Sequence, residues 1–372
     1  MNNTQNQVYF KQLNGIRFIA VMLVLIDHWF AESLILPLGH LGVVIFFVLS
    51  GFLITRILFQ NADECRISGG LIGLKIKNFI VRRSLRIFPI YFLICLLGIL
   101  FNISPIRSNW VWMFTYTPNW YIIFHKQWIG VWDHFWSLAV EEQYYLIFPY
   151  AVFFLNPKKY LHLFASMIAL GLATRIGFYV NHSNLNLENQ WFINYVNPFA
   201  AIDCFGLGGL LAYLFHYQHK FLKHTNSIIF ICFLTSIGVL YASHMQEFKH
   251  GNPIFIILER SIFGLFAFFI LAHTIQSKND FLGKFLCVKP VEYIGRISYG
   301  IYLYHNFIFN IFHKDGNTLF GFFDEKFGLS NYSFFHNHYL LFLLNFVFLV
   351  VISTLSWFCI ESPINSLKKY FE

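Results

Sequence analysis

An all-α bundle of about ten membrane-spanning helices is the fold this sequence predicts, and three observations predict it. Hydrophobic residues make up 57% of the 372 positions and charged residues only 12%, against about 25% charged in an ordinary soluble domain. Apolar runs of about 20 residues, long enough to cross a hydrocarbon layer, recur from one end of the chain to the other. The connecting segments alternate between rich and poor in Lys and Arg, the pattern that orients helices in a bilayer. The net charge of +8 therefore reads as topology and not as a nucleic-acid footprint.

The spans are expected at 13–31, 39–59, 86–103, 136–155, 161–180, 196–216, 227–243, 254–275, 293–313 and 338–360. Loops on one side hold Arg66, Lys75, Lys77, Arg82, Arg83, Lys158, Lys159, Lys220, Lys223, Lys278, Lys284, Lys289, Lys368 and Lys369, whereas the other side has only Arg107, Lys126, Lys249, Lys314 and Lys326. By the positive-inside rule the first set and both termini are cytoplasmic. The opening apolar run is too long for a signal h-region and lacks a small-residue cleavage site, so it stays as a span. Nothing marks a second soluble domain, and 1–372 is expected to be a single transmembrane domain.

Between the third and fourth spans, Asn102 to Phe135 carries Trp110, Trp112, Trp120, Trp128 and Trp132. Indole rings favour the interface, so this segment either rests on or dips into the outer face, or forms an extra span that turns back and makes eleven. The polar segments 181–194 and 314–337 are the other external loops, available to help hold an acceptor.

Charged side chains near the centre of a span cost about 2.5–3.5 kcal/mol or more, so those found there usually have a task. The first span, Leu13 to Phe30, contains Arg17, Asp27 and His28. The Arg17–His28 spacing amounts to about 1100° of helical rotation, which puts both side chains on one face about 16 Å apart. This suits a long ligand with an anionic head; equally, Arg17 can snorkel to the interface while His28 bonds a neighbouring helix.

VRRSLRIFP brings Arg82, Arg83 and Arg86 onto one helical patch. Guanidinium forks bind phosphate, which makes the patch a cradle for a phosphorylated cofactor or, alternatively, an anchor on anionic lipid. WSLAVEEQYYLIFP places Glu141 and Glu142 in an otherwise apolar helix. Adjacent positions face about 100° apart, so at most one is expected in a given site, unless both only complement the helix dipole. In GRISYGIYLYHNFIF, Ser298, Tyr302 and His305 follow i, i+4, i+7 spacing and form a polar stripe, for a site or for bonding helices together. Arg175 and Arg260 need partners, and Glu259, Asp203 and Glu361 are available.

Six scattered cysteines lack CxxC spacing, and His40, His162, His273, His336 and His338 lack a recurring ligand spacing, so no metal is predicted. GxGxxG, GxxxxGK[ST], HExxH and GxSxG patterns do not occur.

Taken together, these motifs resemble the acyltransferase-3 family of integral-membrane acyltransferases. Arg17 and His28 match its signature of a basic residue, ten positions and His; Gly42 to Thr55 resembles the second-span motif; Arg83 and Arg86 match RxxR. Glu141 takes the E of SLxxE, His305 falls in the late-span motif, and IESP at Ile360 to Pro363 resembles the closing element. The resemblance implies a multi-pass protein of the bacterial inner membrane that moves an acyl group, commonly acetyl from cytoplasmic acetyl-CoA, to a sugar hydroxyl. Acceptors in the family include lipopolysaccharide, peptidoglycan, exopolysaccharide and lipid-linked saccharides. Some members carry an SGNH-hydrolase-like domain outside the membrane. The sequence ends at Glu372 soon after the last span, so a stand-alone membrane domain is expected.

On this reading Arg82, Arg83 and Arg86 hold the phosphates of an acyl-CoA, the pantetheine arm runs beside Arg17, and the thioester reaches His28. His28 then acts as general base, with Glu141 orienting it and Asp27 facing elsewhere. A covalent acyl-His intermediate stays open. The chief alternative is a carrier or flippase of lipid-linked sugars or anions, which also places arginine and histidine inside the membrane. A polyprenyl-phosphate sugar transferase would bring an acidic metal-binding loop, which the sequence does not contain.

Overall fold

The computed structural model describes residues 10–30, 37–181, 187–217, 231, 234–238, 253–276, 279–313, 326, 328 and 338–371, and every regular element among them is helical. The helices are α1 Gln12–Trp29, α2 Leu38–Ser68, α3 Ile72–Leu100, α4 Ile106–Phe114, α5 Pro118–His125, α6 Phe135–Phe154, α7 Tyr160–Asn181, α8 Leu187–Val196 and α9 Pro198–Tyr217. They continue as α10 Pro253–Gln276, α11 Phe281–Leu286, α12 Lys289–Arg296, α13 Ser298–His313 and α14 His338–Ser356, the last running into a π turn at Trp357–Glu361.

Among the described residues, six stretches are long and apolar enough to cross a membrane: Leu38–Ser68, Ile72–Leu100, Pro157–Asn181, Pro198–Tyr217, Ile256–Gln276 and Tyr339–Tyr370. The expected count of ten is therefore not reproduced, and the shortfall has a physical pattern. Polar residues dilute α1 (Arg17, Asp27, His28) and α6 (Glu141, Glu142, Gln143), and α13 is only 16 residues long. Those three helices are the ones that furnish most of the site. The expected span 227–243 and the loop 314–337, with His336, lie almost wholly outside the described residues.

Burial separates centre from rim. Inside the bundle, 72% of the apolar window of α2 and 67% of that of α9 is buried, against 33% for α3 and 22% for α7. α2 and α9 pack backbone to backbone. A Cβ on Gly51 would collide with the backbone of Phe205, and one on Gly208 with that of Val48 and Phe52. In a membrane, where lipid is as apolar as leucine, such small residues let helices gain the close van der Waals contact that holds them.

Asp27 faces away from His28's partners, as its sequence position implies. Its carboxylate takes the backbone N–H groups of Leu38 and Gly39 at the start of α2, which have no partner inside their own helix. Arg175 of α7 is fully buried and ties three helices. It donates to Asp203 Oδ2 at 2.7 Å, Ser261 Oγ at 2.6 Å and the Ile257 carbonyl at 2.8 Å, and also to the Ala200 carbonyl. Arg260 donates to His40 and to the carbonyls of Asn194 and Tyr195, while Glu259 pairs with His40 at 3.1 Å.

The tryptophan-rich segment folds as a hairpin of two short helices, neither long enough to be an eleventh span. α4 and α5 have nine and eight residues, about 12–14 Å each, far short of the roughly 30 Å hydrocarbon core. Its tip lies deep: the Tyr116 ring stacks on Tyr91 at 4.1 Å, and Tyr91 donates to the Met113 carbonyl at 2.9 Å. Tyr91 lies about 14 Å before the carboxyl-terminal end of α3. Backbone at that depth must be satisfied by protein. Gln143 of α6 does so, donating to the Tyr116 carbonyl at 2.9 Å and to Asn119 Oδ1 at 3.0 Å. Trp132 is buried, unlike an interfacial indole.

Candidate active site

Five helices converge on a cavity of about 110 Å³. α1 contributes Arg17, α2 Ser50, α3 Arg83 and Arg86, α6 Ser137, Glu141, Glu142 and Tyr145, and α13 Ser298, Tyr299 and Tyr302. Seven residues singled out in the sequence thus meet at one place. With all groups ionised, three guanidinium groups face two carboxylates, leaving one positive charge in excess. Such a chamber favours an anionic ligand, and Arg can grip phosphate oxygens in bidentate fashion.

Two expectations need correction. Arg82 does not line the cavity: its guanidinium turns to the carboxyl-terminal segment and donates to the Phe371 carbonyl at 3.4 Å. Both glutamates line the cavity, where only one was expected, because it wraps around more than one face of α6. The Oε1 of Glu142 is buried without a hydrogen-bond partner.

Glu141 is held by two hydroxyls. Ser50 Oγ donates to its Oε1 at 2.9 Å, Tyr145 donates to its Oε2 at 3.0 Å, and the two hydroxyls lie 2.8 Å apart. The sequence reading missed Ser50 and Tyr145. Tyr145 stands four residues after Glu141, hence on the same helical face, and Ser50 sits inside the quoted LSGF stretch.

His28 finds different partners from the one expected. Its Nδ1 lies 2.8 Å from His305 Nε2 and 3.1 Å from Asn306 Oδ1, and the His28 and His305 ring centroids are 4.9 Å apart with the rings meeting edge to edge. Glu141 is bonded to Ser50 and Tyr145 and makes no hydrogen bond to His28. Asn306 bridges to His134 Nδ1 at 3.1 Å, and His134 donates from Nε2 to the Leu303 carbonyl at 3.0 Å. His134 and His305 are fully buried, so three imidazoles form one cluster. His134 and Asn306 were not foreseen, although Asn306 follows His305 directly and His134 stands just before the SLxxE stretch.

Tyr302 joins the two parts. Its ring and hydroxyl line the cavity, its hydroxyl pairs with Ser137, and its carbonyl lies 2.6 Å from His305 Nδ1. On the opposite side of α6 a second hollow of about 730 Å³ is lined mainly by apolar side chains of α3, α6, α7, α9 and the hairpin tip. Arg83, Glu142 and Tyr145 border both spaces. Just before α6, burial pushes the Asp133 carboxyl up to about 7, although it accepts the Ile129 N–H.

No group of three or more His, Cys, Asp or Glu side chains arranged to hold a metal occurs among the described residues. His40 and His273 pair with Glu259 and Asp280.

Apolar helices surrounding a charged chamber, with a buried imidazole cluster beside it, define a multi-pass membrane protein equipped to act on a polar, anionic ligand. Sequence comparison supplies the family. The model of an acyltransferase domain matches residues 10–361, nearly the whole chain, and the chain belongs to that family. It is similar to a peptidoglycan O-acetyltransferase, OatA, of Listeria monocytogenes, 28% identical over 333 residues that cover 80% of this chain and 49% of the relative. The putative peptidoglycan O-acetyltransferase YrhL of Bacillus subtilis is 27% identical over 82% of this chain and 49% of its own length. The O-acetyltransferase OatA of Staphylococcus aureus is 29% identical over 80% of this chain and 50% of its own. The chain thus spans about half the length of the curated relatives it matches. No solved structure matches it.

Proposed function

We propose that this protein is a membrane O-acyltransferase that carries an acyl group, acetyl in the first instance, from cytoplasmic acyl-CoA to a hydroxyl of a cell-envelope saccharide. The observation that carries the reading is the convergence of Arg17, Arg83 and Arg86 with Glu141 and Glu142 in one cavity, which adjoins the His28 cluster through Tyr302. Arg83 and Arg86 hold the phosphates, the pantetheine arm passes Arg17, and the thioester arrives at His28. A saccharide alcohol from the outer side loses its proton to His28 as it attacks. With Glu141 bonded to Ser50 and Tyr145, its role shifts from orienting the imidazole to setting the charge of the donor chamber. Peptidoglycan, named for two of the relatives, is the first acceptor to test. The protein sits in the bacterial cytoplasmic membrane with both termini inside.

Purified protein in liposomes, given acetyl-labelled acetyl-CoA and a peptidoglycan fragment, is expected to yield O-acetylated saccharide. His28→Ala is expected to lower that rate by about 10³-fold with helical content unchanged. Undiminished turnover in His28→Ala removes the catalytic assignment. Movement of saccharide across the bilayer without acyl transfer favours the carrier.

A further inference from the structure

The hydrogen bonds around His28 fix more than its position. Backbone carbonyls anchor the cluster, and a carbonyl only accepts. The Tyr302 carbonyl, 2.6 Å from His305 Nδ1, requires a proton on that nitrogen, which leaves His305 Nε2 as an acceptor. The Leu303 carbonyl, 3.0 Å from His134 Nε2, requires a proton there and leaves His134 Nδ1 as an acceptor. Asn306 is placed to match. Its amide Nδ2–H donates to His134 Nδ1 and its Oδ1 faces His28. His28 Nδ1 thus meets two acceptors, His305 Nε2 at 2.8 Å and Asn306 Oδ1 at 3.1 Å, and both demand that it carry the proton. The two chains start from different carbonyls and give the same answer.

We propose that His305 and Asn306, with His134 setting the Asn306 amide, are positioning residues that hold neutral His28 as its Nδ1–H tautomer and so leave the lone pair on Nε2. The inference rests on the acyl-transfer reading for its chemical use, though not for its geometry. As the acceptor oxygen bonds to the thioester carbon and the C–S bond breaks, the hydroxyl proton passes to His28 Nε2. It then passes to the leaving thiolate, and His28 ends neutral. The other tautomer would present an N–H to the hydroxyl and accept nothing. In a Ser-His-Asp protease, loss of the correct tautomer costs about 10⁴-fold in kcat. Here the two acceptors act in parallel.

Two readouts test this. Solid-state nitrogen-15 spectra of histidine-labelled protein in liposomes, with the His28 signals assigned by difference against His28→Gln, are expected to show a protonated Nδ1 and an unprotonated Nε2. In Asn306→Leu the kcat for acetyl transfer should fall about 10-fold, and in Asn306→Leu with His305→Phe about 10³-fold, with KM for acetyl-CoA within about threefold. Asn306→Asp, which keeps an acceptor for His28, should recover most of the loss seen in Asn306→Leu. A protonated Nε2 on neutral His28 overturns the proposal whatever the activity, as does an unchanged kcat in the double variant. A wild-type protein that transfers no acyl group, yet shows the expected tautomer, overturns the functional reading and leaves the positioning intact.

Discussion

Two clusters of buried charge sit in this bundle and differ in what surrounds them. In the α7–α9–α10 cluster, Arg175 is enclosed by Asp203, Ser261 and two carbonyls, and Asp203 also takes the Ser261 hydroxyl. In the α1–α3–α6 cluster, Arg17, Arg83, Arg86, Glu141 and Glu142 border a cavity, and one carboxylate oxygen of Glu142 has no partner. A charge surrounded by its own partners is part of the frame. The second cluster differs in keeping open space beside its charges. Intramembrane ionisable residues have a task by default, and the comparison separates the two kinds of task.

The comparison breaks most readily at Arg175. Arg175→Leu leaves the Asp203 carboxylate buried without its partner, and removing one member of a buried pair costs about 3–5 kcal/mol. Thermal unfolding in detergent should show a large loss of stability, with the residual folded fraction still binding acyl-CoA. Arg86→Gln should do the reverse. It is expected to raise KM for acetyl-CoA about 10- to 100-fold, the worth of one or two charge-assisted hydrogen bonds, with the melting temperature almost unmoved. A smaller effect is expected from Ser50→Ala, which removes one of the two hydroxyls on Glu141. Steady-state rates should fall about 10-fold in kcat/KM, and a variant with wild-type kinetics would assign Ser50 to packing alone.

The smallest effect concerns Asp133, a half-buried carboxyl in neither cluster. Folded, it keeps its proton to about pH 7, whereas unfolded it releases it near about pH 3.9. Between those values the folded state binds more protons, so this residue's contribution to stability declines as pH rises from about 4 to about 7 and is flat above. Asp133→Asn should flatten that part of a melting-temperature profile. An unchanged slope would show that Asp133 is ionised in the folded protein.

Much of the site was legible in the sequence because its residues lie on helices whose facing follows from spacing. Arg17, Arg83, Arg86, Glu141, Ser298 and Tyr302 do share one cavity. What spacing could not convey was relative depth between helices. Glu141 lies seven residues, about 10 Å of helical rise, beyond His134 of the imidazole cluster and takes its hydrogen bonds from Ser50 and Tyr145, so the expected His28–Glu141 pair does not form. Arg82 shares a helical patch with Arg86 in projection, yet a tertiary contact to Phe371 draws it aside. Among the described residues, α1, α6 and α13 fall outside the six long apolar stretches because they trade hydrophobicity or length for polar groups. The hairpin was half foreseen from its tryptophans, while the glutamine that supports its tip passed as one polar letter in EEQYY.

That hairpin also ties two parts of the molecule together. Neither of its helices is long enough to be released into the bilayer as a span. The carbonyl of Tyr116 meets its donor only on Gln143, a residue synthesised later. The tip therefore draws its hydrogen bond from the helix that follows it, and the turn that carries Gln143 also carries the two glutamates. One helical turn of α6 thus serves both the hairpin and the charged chamber.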